Sequence, residues 1–145
     1  MEKLNLPEFD FKLRKAGNNV EIFDALRKKF LVLTPEEWVR QHFVRTLTEH
    51  CGYPKALIKT EGGMKVNRLA KRTDILVYSR QGEPHLLVEC KAPHVKIDES
   101  VFAQASRYNS VLGAPYVVLT NGLRHLSFSV SEEGYNPMEQ IPSFP

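Results

Sequence analysis

From residue 34 onward the apolar positions follow two periods, one of about 3.6 and one of 2, and these divide the chain into helices and strands. Trp38, Val39, Phe43 and Leu47 recur at helical spacing and give one helix a buried stripe. Thr34 is a good N-cap, Pro35 suits the first helical position, and Glu37, three residues after the cap, completes a capping box. Gly52 and Pro54 end this helix. A second helix starts at the N-cap Asp98, carries Val101, Phe102, Ala105, Tyr108 and Leu112, and stops at Gly113 and Pro115. Residues 56–60 suit a first strand. The apolar runs 75–78 and 86–88 flank a polar turn from Ser79 to Pro84, the signature of a β-hairpin. Residues 115–120 form a β-branched run suited to a sheet centre; the turn Asn121-Gly122 and a last strand over 125–130 follow. The order is helix, three strands, helix, strand. This predicts an α/β fold with a mixed central sheet flanked by helices, the second helix making the crossover.

The first thirty-three residues are less regular and are expected to be peripheral. Phe9, Phe11 and Leu13 alternate with polar residues, Gly17-Asn18-Asn19 signals a turn, and residues 20–23 resume an apolar run, so a covering hairpin is predicted. The core is expected over 34–130. The tail, 131–145, carries Pro and Gly and is expected to wrap the surface or to be partly mobile.

Composition adds bounds. The 145 residues, 42% hydrophobic and 26% charged, suit a single domain with a real core. No run approaches a membrane span, and the amino terminus lacks a signal peptide's apolar region, which leads to the expectation of a cytoplasmic protein without membrane partners. Cys51 and Cys90 make neither a disulfide scaffold nor a zinc site and are expected to be small buried side chains. The five histidines show no metal-ligand spacing, and no GxxxxGK loop suggests a nucleotide cofactor. The formal charge of +3 is modest, but basic residues cluster at Arg14-Lys15, at Arg27-Lys28-Lys29, over 65–72 and at Arg80. The third group ends in Lys71 and Arg72, just before Asp74, where phosphate-contacting cations would guide a nucleic-acid backbone.

The candidate chemistry lies at the ends of the hairpin. Asp74 begins its first apolar run, and Glu89 and Lys91 end the second, where a buried strand would normally carry Val or Ile. Strand side chains alternate, so Glu89 and Lys91 share a face at about 7 Å along the strand while Cys90 points the other way. Two carboxylates brought close raise one another's pKa, and a divalent cation removes that penalty. An all-oxygen site suits Mg²⁺, for which Mn²⁺ can substitute, and such an ion with a nearby lysine can assist phosphodiester hydrolysis.

At these residues the chain resembles the PD-(D/E)xK nuclease superfamily, Asp74 matching the first element and Glu89-Cys90-Lys91 the second. The blocks Leu33-Thr-Pro-Glu-Glu-Trp-Val-Arg-Gln41 and Leu87-Val-Glu-Cys-Lys-Ala-Pro93 look like the amino-terminal nuclease domain of type I restriction enzyme R subunits, over residues 22–130. Thr73 stands where the motif's name places a proline, which is not a catalytic group. The resemblance implies a restriction-endonuclease-like core and Mg²⁺ held by Asp74, Glu89 and the Cys90 backbone carbonyl, with Lys91 positioning the attacking water. It makes Glu37 a candidate for assisting metal or water, alongside its capping role, with Glu36 and Glu61 weaker candidates. Gln104 and Tyr108 match a QxxxY motif of helicase-linked nucleases in that superfamily. By that likeness Gln104 holds the DNA backbone or buttresses the site and Tyr108 supports it.

The function expected is Mg²⁺-dependent endonucleolytic cleavage of DNA. Full R subunits join this domain to motor domains for which 145 residues are too few, so the expected partners are a second copy or a separate motor or specificity subunit. The alternative is an inactive nuclease-fold module that binds DNA with a partner protein.

Overall fold

The computed structural model describes residues 1–60 and 74–145. Strands β1 (Leu13–Ala16), β2 (Asn19–Asp24) and β3 (Lys29–Val32) form an antiparallel sheet in that order. Helix α1 spans Pro35–His50. A single 3-10 turn, Lys55–Leu57, leads into β4 (Ile58–Thr60). Then come β5 (Ile75–Tyr78), β6 (Pro84–Cys90), helix α2 (Glu99–Leu112), β7 (Tyr116–Thr120), β8 (His125–Ser131) and β9 (Gly134–Met138). Strands β4 to β9 make one six-stranded sheet in sequence order. Among the described strands of this sheet only β6 and β7 pair in parallel, because α2 returns the chain between them.

The sheet is covered on both faces, and the alternation along its strands shows why. On β6, Leu86, Val88 and Cys90 join the core that contains Val39, Phe43 and Leu47 of α1. Leu87 of β6 points the other way, with Val117 and Leu119 of β7, into the core that contains Val101, Ala105 and Tyr108 of α2. Central strands buried on both sides are mostly apolar, as the runs 75–78 and 116–119 are. The mixed sheet between two helices is the α/β core expected from the sequence.

Several details differ from expectation. The N-terminal region has three strands rather than a hairpin; β3 is the extra one, reached through Lys28 in a left-handed conformation with φ of 55°. The tail builds β9 on the sheet edge against β8. It then docks: the buried Tyr53 hydroxyl donates to the Pro142 carbonyl at 2.6 Å, and the Phe144 N–H donates to the Cys51 carbonyl. Thr34 caps α1 by accepting the Glu37 N–H at 3.0 Å. The reciprocal half of the capping box is missing, since the Thr34 N–H bonds to the Val32 carbonyl. Asp98 accepts the Ser100 and Val101 N–H groups, and Gly113 closes α2 with φ of 74°. Gly122, at φ of 85°, lies so close to Leu4 that an added Cβ would stand 2.8 Å from its Cδ2. Among the described residues no helix is long and apolar enough to cross a membrane.

Candidate functional site

The site lies where the amino-terminal turns of α1, the start of β5 and the end of β6 converge. Ile75 pairs with Val88, so continuing the antiparallel register by one residue sets Asp74 across from Glu89. Both carboxylates are buried, at 7% and 5% exposure. Asp74 is fixed by two donors: the Cys90 N–H reaches Oδ2 at 2.8 Å, and the Arg40 guanidinium reaches Oδ1 at 2.8 Å. Lys91 Nζ stands 3.4 Å from Glu89 Oε2 and donates to Gln104 Oε1 of α2 at 3.2 Å. Its side chain keeps about a quarter of its surface exposed (24%), so the ammonium faces solvent on one side.

Helix α1 contributes a second layer of charge. Arg40, 4% exposed, forks between Glu37, Glu36 (2.8 Å) and Asp74. Glu37 is also gripped by the Gln41 side-chain amide at 2.8 Å. These contacts follow from helical geometry, since residues three and four apart share a face. Glu37, offered by the sequence as either cap or site residue, therefore turns its carboxylate toward the site and leaves only its backbone to the cap.

The electrostatics are those of a crowded carboxylate cluster. Burial would lower the pKa of Arg40, but the Asp74 and Glu37 carboxylates outweigh it and hold the guanidinium more firmly protonated than in water. Burial, then the negative charge of Asp74, raise the Glu36 pKa, against the opposing pull of Arg40 and Lys91. The Cys90 thiol is raised well above its ordinary value by full burial and then by Asp74, so it stays a neutral apolar group. Burial, followed by Glu89 and Asp74, raises the hydroxyl of Tyr108. Tyr108, on the buried side of α2, is 3% exposed and lies within the same field as the two carboxylates.

The donor set can be tested against a hard divalent cation. Glu36, Glu37 and Asp74 share the guanidinium of Arg40, and Glu89 lies against Lys91, so four carboxylates converge here. Among the described residues no three His, Cys, Asp or Glu side chains group as metal ligands. The protein would thus supply a pair of carboxylates, Asp74 and Glu89, with the Cys90 carbonyl, and water and phosphate would supply the rest. That is how Mg²⁺ is ordinarily held, so the residues fit the ion.

Of the residues picked out from the sequence, Asp74, Glu89, Lys91, Glu37, Cys90 and Gln104 are brought together, and Tyr108 lies beneath them. Lys71, Arg72, Thr73 and Glu61 lie outside the described residues. Arg40 and Gln41 were missed by sequence reasoning. Their spacing of three and four residues from Glu36 and Glu37 was a visible signal, whereas the contact of Arg40 with Asp74, 34 residues away, was not. Of the histidines, His42 packs against the Trp38 and Phe11 rings, and His125 bonds to Thr120 and to the Asn5 carbonyl.

Comparison with known proteins bears on the family and the fold. Residues 35–145 match the family model described as the type I restriction enzyme R protein N terminus. Among solved structures, the fold is similar to a fragment described as that of an HsdR subunit of a type I restriction enzyme from Vibrio vulnificus YJ016. The TM-score is 0.57 and the identity 24%, over 77% of this chain and 24% of the other. The chain thus spans about a quarter of the length of that neighbour. No curated protein matches.

Proposed function

Because the chain belongs to the family of type I restriction enzyme R protein N termini, we propose that it hydrolyses DNA phosphodiester bonds with Mg²⁺ at the site of Asp74, Glu89 and Lys91. The observation that carries this reading is that Asp74, just before β5, accepts the Cys90 N–H at the end of β6 at 2.8 Å, next to Glu89, whose carboxylate stands 3.4 Å from the Lys91 ammonium. Asp74, Glu89 and the Cys90 carbonyl would hold the ion, which when bound polarises a phosphate oxygen and lowers the pKa of water. The rest of the work belongs to the chain. Glu89 and Gln104 hold the Lys91 ammonium from two sides, aiming its remaining donors at the reacting phosphate or the attacking water. There it neutralises the charge that develops in the transition state. Glu37 is held by Arg40 and Gln41 and shapes the field from the α1 side. The substrate is DNA, and the family setting makes a motor or specificity subunit, or a second copy of the chain, the natural partner.

One observation favours a second reading, an inactive module that binds DNA. Both oxygens of Asp74 are already engaged, one of them by a cation. Nicking of supercoiled plasmid with Mg²⁺ or Mn²⁺, beside EDTA and the Lys91→Ala variant, separates the two. Metal-dependent cutting that is lost in Lys91→Ala supports the nuclease, whereas equal inertness of both proteins with retained DNA binding supports the module.

A further inference from the structure

Arg40 does more at the site than hold Glu37 in place. It is 4% exposed and donates to three carboxylates, Glu36, Glu37 and Asp74, the last on a different element 34 residues away. Its Nε has no partner among the described residues, so the fork is aimed at the carboxylates rather than arranged to satisfy the guanidinium. An arginine that merely stapled α1 to β5 would need one acidic partner. This one gathers three, from two elements of the fold.

We propose that Arg40 is a positioning residue that serves as the resident counter-ion of the site. Its guanidinium holds Asp74 and Glu37 in place before a divalent cation arrives, and it competes with that cation for Oδ1 of Asp74. The inference rests on the metal site described above and deepens it by naming what regulates metal occupancy. Without Arg40, the carboxylates of Glu37 and Asp74 would repel one another in a buried setting. With it, they are preorganised, and an incoming ion must share or displace a charge-assisted hydrogen bond. The resident cation therefore weakens metal binding while it keeps the empty site folded. Metal uptake is then favoured when substrate phosphate arrives, because phosphate offers the released guanidinium an alternative anion of matching geometry.

The test measures Mn²⁺ binding to the full chain by electron paramagnetic resonance, with no DNA present, for wild type and for Arg40→Met, Arg40→Lys and Asp74→Asn. Arg40→Met keeps a stem of similar length without the charge. It is expected to bind Mn²⁺ at least tenfold tighter than wild type, about 1.4 kcal/mol, and to melt lower without metal but recover more on adding it. Arg40→Lys, which keeps a charge but cannot bridge three carboxylates, is expected to fall between wild type and Arg40→Met. Should Arg40→Met fail to fold, tighter binding by Arg40→Lys than by wild type carries the same conclusion. Asp74→Asn should abolish the tight site. A purely structural arginine gives the opposite sign, since a loosened α1 weakens binding. Unchanged or weaker Mn²⁺ affinity in the folded variants overturns the proposal, as does tight binding that survives Asp74→Asn, or no binding by any variant. The nuclease reading stands or falls separately: the expected Mn²⁺ order with uncut plasmid leaves the counter-ion and removes the nuclease, and the converse pair of results does the reverse.

Discussion

Replacing Asp74 by alanine should cost folding stability as well as cutting, because its carboxylate is built into the fold. Two contacts disappear. The first is a charge-assisted bond to the buried Arg40, of a kind that contributes about 1.5–3 kcal/mol. The second is the acceptor for the Cys90 N–H, and a buried donor left without a partner costs about 1–3 kcal/mol. Two effects oppose them. Arg40 keeps Glu36 and Glu37, and removing one negative charge eases the crowding that raises the Glu36 pKa. The net expectation is a loss of about 2–4 kcal/mol, which for a chain of this size lowers the melting temperature by roughly 2–4 °C per kcal/mol. Asp74→Asn retains an oxygen for the Cys90 N–H and should lose about half as much. Lys91→Ala gives up contacts on a partly exposed side chain and should change stability by less than about 1 kcal/mol. Urea unfolding followed by circular dichroism on the three variants checks the ranking. The reasoning fails if Asp74→Ala is as stable as wild type, or if Lys91→Ala is the more damaged of the two.

Gln104→Leu removes one of the two groups holding Lys91 and should slow plasmid nicking by about 10–100-fold, in the range typical of groups that orient a metal site, with little change in melting temperature. Gly122→Ala should destabilise by about 2–4 kcal/mol in chemical unfolding, since its positive φ strains any side chain and the new Cβ would collide with Leu4. His42 and His85 both have their pKa lowered by burial below the ordinary value of 6.5, so the unfolded chain binds more protons than the folded one below that pH. Stability should therefore fall as pH drops through about 6.5 and below, and a His42→Gln, His85→Gln double variant should show a shallower fall in melting temperature between neutral and acidic buffer.

What the sequence made legible was local. The caps Thr34 and Asp98, the stop at Gly113 and the apolar periods of α1, α2 and the central strands are interactions between near neighbours, and each stands where expected. Strand β3 escaped because it opens on a lysine and follows Lys28, a turn residue with positive φ that carries no glycine signal. Strand β9 escaped because Pro137 lies inside it, which argues against a central strand but is tolerated at a sheet edge. The shared face of Glu89 and Lys91 was readable from strand alternation, which is a local rule. The grip of Arg40 on Asp74 was not, because it depends on how α1 lies against the sheet.

That division bears on how the site can be dissected. On β6, alternation sends Cys90 into the apolar core under α1 and Glu89 toward α2, while the Cys90 backbone N–H holds Asp74 between them. The strand end that packs the core is thus the same one that positions the first carboxylate. Asp74, Glu37 and Arg40 are each buried and each bonded to more than one partner, so any substitution among them perturbs packing and chemistry together. Lys91 and Gln104 are only partly buried and meet across the gap between β6 and α2, where a change alters charge and reach without opening a cavity. Loss of cutting in an Asp74 variant is therefore ambiguous unless its stability is measured alongside. Loss of cutting in a well-folded Lys91 or Gln104 variant bears on the chemistry directly.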